Sequence, residues 1–340
     1  MREGTYLYGI IEANGPREFG HIGIGNRGDK VYTVLHQDIG AVVSHSPLGA
    51  FDALPKEVLV GYLGIHQFVI EQVMKSGAVL PVKFGTVVRH EKEVEEILEA
   101  GYRQLKATLK EKHHKIEFEV VAFWSGLDSI LQEIGQEEEI QKFKEMAVQQ
   151  PAHQLRENQI TLGKMVNASL ARKRASVAAE ILEAIKDQAE DLRFHDLMDD
   201  AMILNVALLM DQDREQEFDW KIRELNLQYQ EQINFRCIGP LPPYSFSTVE
   251  VDKLGFTVVD QARRVLELGT EATLSQIKET HRRLTRVYHP DRNGDDPQAA
   301  ERFKQLSHAY KILTEYCQNQ RYSFRREDVK DQIMVQIRQL

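Results

Sequence analysis

Pro290 restricts this chain more than any other residue. It interrupts two stretches with helical periodicity in RRLTRVYHPDRNGDDPQAAERFKQLSHAY. Upstream, Ile277, Leu284 and Val287 are spaced for one apolar helix face, with Tyr288 just beyond. Lys278, Arg282, Arg283 and Arg286 fall largely on the other side. Downstream, Ala300, Phe303, Leu306, Tyr310 and Leu313 make a second apolar stripe. A proline disfavours helical geometry in the residue before it, so the first helix should stop at His289. Asn293-Gly294 and Asp295-Asp296-Pro297 supply turn chemistry, and Pro297 suits the opening of the next helix. The consequence is an antiparallel helix pair. Its loop presents the imidazole of His289, the stiff ring of Pro290 and the carboxylate of Asp291. Segment 278–292 holds five Lys/Arg against two acids, so this hairpin is locally basic.

The rest of the chain is acidic enough to bring the net charge to −9, which argues against nucleic acid as a general partner. The length of 340 residues suggests two or three domains. The two cysteines, Cys237 and Cys317, are far apart, which argues against a disulfide framework and fits a reducing compartment. The start MREGTYLYGIIE has no long apolar core of a signal peptide. The run AMILNVALLM is about half a membrane span. The chain reads as soluble and cytoplasmic, with no membrane insertion.

Ahead of the hairpin, strands and helices alternate. TYLYGIIE (5–12) reads as a strand and NGPREFGHIGIGNRG as a Gly-rich loop. Two more strands, VYTVLHQ and IGAVVSH, precede a helix from Pro55 to about Met74. AVLPVKFGTVV is extended, Glu91 to about Lys112 is a helix, and IEFEVVAFW (116–124) is a strand. This order predicts an α+β domain with a mainly antiparallel sheet over 1–125. Over 126–250 the pattern predicts a second α+β domain. It has a helical stretch near Glu137–Met146, a long helix over Asn158–Leu192, and the strand AMILNVALLM. A helix at 213–228 and the strand INFRCIG follow. Both domains have ferredoxin-like elements. GPLPPYSF, with three prolines and a glycine, is expected to lack regular structure. Residues 247–257 read as the joint to the hairpin module, and 319–340 as a helical tail.

Several motifs have bland readings. Gly23-Ile24-Gly25-Asn26-Arg27-Gly28 fits GxGxxG, but a strand pattern follows where a dinucleotide site needs a helix, so it reads as a strand connection. His113-His114 sits at a basic helix end without a ligand cluster and implies no metal site. His66 falls amid apolar helix residues and reads as a satisfied core histidine. No catalytic triad, P-loop or cofactor fingerprint occurs, so neither an enzyme nor a bound cofactor is expected. In VLPVKFGTVV (79–88), Pro81 restricts the site to a strand edge, start or bulge. In GPLPPYSF (239–246), Pro242-Pro243 forces extended geometry over Tyr244 and Phe246.

Residues 258–318, with a short first helix through Ala262, Val265, Leu266 and Leu268, resemble a J-domain, the module that engages DnaK-type chaperones. The resemblance implies that His289, Pro290 and Asp291 contact the chaperone, with Lys278, Arg282, Arg283 and Arg286 as the electrostatic face. His281 stands where the family usually has Tyr, and Thr285 where Ala is usual. Residues 4–250 resemble the gas vesicle accessory proteins of the GvpL/GvpF family. The resemblance is carried by YLYGII, by His66 leading to Pro81, Lys83, Phe84 and Gly85, and by Asn205 within LNVA. Gly239, Pro240, Pro242, Pro243 and Tyr244 complete it, with Leu241 in place of the usual Trp and Lys83 in place of Arg.

The two resemblances imply a non-enzymatic assembly factor associated with gas vesicles. Its partners would be the gas vesicle shell protein, other gas vesicle accessory proteins and a DnaK-type chaperone recruited by the J-like module. The alternative is a minor structural component of the vesicle, with the hairpin used only for docking.

Overall fold

The computed structural model describes residues 3–24, 28–47, 54–151, 154–289, 297–317, 321–329 and 332–339. In chain order the strands are β1 (Glu3–Glu12), β2 (Glu18–Gly23), β3 (Asp29–His36), β4 (Ile39–Pro47), β5 (Val79–Pro81), β6 (Val87–Val88) and β7 (Lys115–Trp124). They continue with β8 (Asp191–Phe194), β9 (Met202–Asp211), β10 (Ile233–Leu241), β11 (Thr248–Leu254), β12 (Glu271–Thr273), β13 (Arg321–Ser323) and β14 (Gln332–Arg338). The helices are α1 (Lys56–Met74), α2 (Glu91–Glu111), α3 (Leu127–Gly135), α4 (Glu138–Val148) and α5 (Leu155–Ile185). After them come α6 (Glu215–Tyr229), the single turn α7 (Tyr244–Ser247), α8 (Phe256–Val265), α9 (Leu274–Val287) and α10 (Pro297–Tyr316). The architecture is mixed α+β with antiparallel sheets and a C-terminal helical hairpin, as the element order predicts.

The chain divides into two compact units, each built from separated segments. The first takes residues 1–66, 82–107 and 249–337. Its sheet runs β2-β3-β4-β1, with β6 also on β1. Gly4–Ile11 of β1 is buried without a break, which is why the strand reads as a continuous apolar run rather than an alternation. The second takes 67–81, 108–248 and 338–340, with the antiparallel order β10-β7-β9-β8. Ile116, Phe118, Val120, Ala122 and Trp124 of β7 alternate into a core with Ile181, Val206 and Phe218. The opposite face of the same sheet is covered by Phe246, packed with Ala207 and Leu209. Burial on both faces explains the unbroken hydrophobicity of β9.

Several expectations need correction. A division at residue 125 would cut β7 away from its own sheet, because β7 pairs with both β9 and β10. The Gly-rich loop contains β2, which pairs with β3 through two register shifts that accommodate Gly20 and Gly23. The long helix ends at Ile185 instead of Leu192, and residues 191–194 pair with β9 as an edge strand. GPLPPYSF is not irregular throughout: β10 extends to Leu241, and Tyr244–Ser247 forms a helical turn. The joint at 247–257 is mostly strand β11. The tail is not helical: β13 pairs with β12, and β14 pairs with β11. In β14, Ile333, Val335 and Ile337 alternate with other residues, and β-branched side chains at period two suit a strand.

Candidate functional site

The helix hairpin is built as its sequence suggests. Thr273 caps α9 with a full capping box: its hydroxyl accepts from the Gln276 N–H, and Gln276 accepts from the Thr273 N–H at 2.8 Å. Ile277 and Leu284 are buried against Leu306 and Leu313 of α10. Val287, expected on that face, is 56% exposed, and Ala300 is exposed while its neighbour Ala299 is buried. His281, at the position where Tyr is usual, still serves as an aromatic, stacking on Tyr310 with centroids 4.2 Å apart and planes at 14°. Thr285 donates its hydroxyl to the His281 carbonyl at 2.8 Å, a bond that keeps it inside the helix.

The opposite face of α9 carries the charge. Lys278, Arg282 and Arg286 stand four residues apart, so they form one row along the helix. All three are exposed, and among the described residues none has a carboxylate partner. Arg283, beside the row, pairs with Glu267 at 3.1 Å. With Ser275 and Glu279 these cations line an open groove of about 590 Å³. At the end of α9, the His289 ring meets Phe303 of α10 edge-on at 5.6 Å, which holds the start of the loop against the second helix. Pro290 and Asp291 lie outside the described residues.

Of the other motif residues, His66, Pro81, Pro242 and Pro243 are buried, Phe84, Gly85, Asn205 and Tyr244 are half-buried, and Lys83, Gly239 and Pro240 are exposed. In the first unit, Tyr6, Tyr8 and Phe84 surround His66, which is 2% exposed. The Gly85 N–H donates to Tyr6 Oη at 3.0 Å, and Tyr6 Oη lies 2.9 Å from His66 Nδ1. Burial drives the His66 pKa down to about 4, partly opposed by a hydrogen bond with the Val82 backbone. A neutral ring that accepts from Tyr6 at Nδ1 keeps its proton on Nε2 for Val82. Gly85 has φ +84, a conformation that favours glycine. Lys83 reaches outward to Glu250 at 3.1 Å, while its N–H donates to the Val249 carbonyl at 2.9 Å.

In the second unit, Gly239 is fixed by close approach: a Cβ there would lie 2.4 Å from the Phe118 ring. Pro240 and Pro243 line one wall of a cavity of about 470 Å³. Pro81 ends β5 and is buried. The Pro242 carbonyl accepts from the Tyr244 N–H at 2.7 Å, whereas the Tyr244 hydroxyl is buried without a partner among the described residues. Asn205 Nδ2 donates to the Asp196 carbonyl at 3.1 Å. One residue was not signalled by its surroundings in sequence. Glu117, in β7, is fully buried and accepts from both the N–H and the hydroxyl of Ser245, at 2.8 and 2.7 Å. Desolvation pushes its pKa up to about 7. Only the long-range pairing of the PYSF turn with β7 makes this residue special. Among the described residues no group of His, Cys, Asp or Glu is arranged to hold a metal ion, and no helix is long and apolar enough to cross a membrane.

The α+β body with its Pro-rich turn and the basic helix hairpin that follows each match a known family. The family described as gas vesicle synthesis protein GvpL/GvpF matches residues 4–248, and the DnaJ domain matches 264–323. The chain belongs to the GvpL/GvpF family and has a DnaJ domain at its C-terminal side. Gas vesicle protein F of Streptomyces sp. (strain CB03234) is 29% identical over 245 residues, covering 71% of this chain and 98% of that protein. The crystal structure of gas vesicle protein GvpF from Anabaena sp. PCC7120 has the same fold, with TM-score 0.61 and 24% identity, over 72% of this chain and 97% of that one. Chaperone protein DnaJ of Halothermothrix orenii is 47% identical over 58 residues, which is 17% of this chain and 16% of DnaJ.

Proposed function

We propose that this protein holds gas vesicle shell protein or other gas vesicle proteins during assembly and recruits a DnaK-type chaperone to them. The observation that carries the reading is the row Lys278, Arg282, Arg286, which lacks carboxylate partners among the described residues and runs up to His289. Like charges four residues apart destabilise a helix by about 0.2–0.5 kcal/mol per pair. A helix that keeps three in line, uncompensated, is suited to an acidic partner surface. His289 then stands at the end of that surface, and Pro290 and Asp291 follow it in sequence.

Client binding belongs to the GvpL/GvpF portion. Support for an apolar client comes from α1, where residues 58–70 contain no charged side chain and Val58, Val60 and Leu63 are exposed. An aggregation-prone shell subunit needs such cover until it joins the wall.

The test replaces the loop imidazole. His289→Gln should leave the thermal unfolding transition of the full chain in place and abolish its stimulation of a DnaK-type ATPase. Undiminished stimulation by the variant would show that the module does not act through this loop.

A further inference from the structure

Residues 324–338 lie beyond both family matches, which end at 248 and 323. Of these, 324–329 and 332–338 are nevertheless built into the fold. Phe324 and Met334 are 1% and 3% exposed and belong to one core with Leu254, Val259, Leu306 and Leu313. The Phe324 N–H donates to the Thr270 carbonyl at 2.8 Å, and Arg325 pairs with Glu271 at 3.3 Å. Beyond this point β14 pairs with β11. The next residue, Val335, lies against Gly101 of α2 so closely that a Cβ on Gly101 would stand 2.9 Å from Val335 Cγ1.

Strand β11 is itself tied into the first unit. Val249 bridges to Val82, and Lys253 Nζ donates to Glu93 of α2 at 2.8 Å. Between β11 and α8 the only residue is Gly255. A module hung on a flexible linker would need several unstructured residues there, and would leave Leu254 and Met334 in water.

We infer that residues 324–329 and 332–338 form an intramolecular strap that docks the J-type hairpin onto α2 and β11, so that the basic row of α9 points in a fixed direction from these elements of the first unit. The strap stands on packing alone; its consequence for chaperone delivery rests on the proposed recruitment function. A docked module places the chaperone at one position relative to α2 and β11, where a tethered one would sample a volume.

Gly101 provides the test in the full-length protein. In an uncovered helix, Gly→Ala is favourable because glycine has the lower helix propensity. Under the strap, Gly101→Ala must displace Val335, whose β-branched side chain has little freedom to yield. Amide hydrogen exchange in β14 and α10 should then accelerate by about tenfold or more, with the β7–β9 pair as an unchanged internal reference. Met334→Ala, which removes a buried side chain without adding bulk, should act in the same direction. Exchange that is unchanged or slower in both variants would overturn the strap. ATPase stimulation measured on the wild-type chain is a separate readout: its absence would remove the recruitment function and leave the strap standing.

Discussion

Two buried groups titrate in opposite senses. Glu117 binds its proton more tightly when folded, with a pKa near 7 against 4.5. Its favourable contribution is full below pH 4.5 and is lost as pH rises to about 7. His66 resists protonation when folded, with a pKa near 4 against 6.5. Its contribution is full above pH 6.5 and is lost as pH falls toward 4. Each shift corresponds to roughly 3 kcal/mol, and between pH 4.5 and 6.5 the two slopes cancel. Glu117→Gln removes one of them while keeping an acceptor for the Ser245 N–H. Unfolding free energies from denaturant titration should match the wild type near pH 4.5 and exceed it at pH 7.5, by up to about 3 kcal/mol. A variant less stable than wild type at pH 7.5 would mean that the two Ser245 bonds outweigh the burial of the charge.

At the scale of elements, α9 shows how a departure from a family pattern is absorbed. His281 stacks on Tyr310, yet its Nε2 is buried with no hydrogen-bond partner among the described residues. Desolvation lowers its pKa. An aromatic without that nitrogen removes an unsatisfied polar group, whose burial costs about 1–3 kcal/mol. His281→Phe should therefore raise the unfolding temperature of the hairpin, read by hydrogen exchange in α9 and α10. No stabilisation would mean that the nitrogen has found water. The same element shows what the sequence discloses. The α9 face through Ile277 and Leu284 is legible because its partner is a neighbouring helix and its period is helical. Strands β8 and β14 are hidden for other reasons. β8 has only four residues, whereas β14 pairs with β11 from much earlier in the chain and its β-branched alternation is flanked by the charges of RREDVKD. His66, Gly85 and Gly239 are recognisable as a pattern before their roles are. That His66 and Gly85 meet Tyr6 in the first unit, while Gly239 meets Phe118 and Ser245 meets Glu117 in the second, depends on pairings no local window contains.

At the scale of the molecule, the relatives define where the body ends. Gas vesicle protein F from Streptomyces is covered over 98% of its length by 71% of this chain, so that fold is finished without a J-type module. In this chain β11 has become part of the body, through the Val82–Val249 bridge and the Lys83–Glu250 and Lys253–Glu93 ion pairs. A truncation meant to isolate the client-binding portion should therefore end after Gly255, not at 250, where it would cut β11 in two. The protein ending at 255 should fold, capture gas vesicle shell protein within about twofold of the full chain, and give no stimulation of a DnaK-type ATPase. A protein ending at Ser247 should unfold at a lower temperature, because the Val82 edge and Glu93 lose their partners. Circular dichroism and pull-down on the two truncations separate the possibilities. If the 255-residue protein is folded yet no longer captures shell protein, the client surface includes the hairpin or its strap, and choice of client and recruitment of help would be functions of one surface.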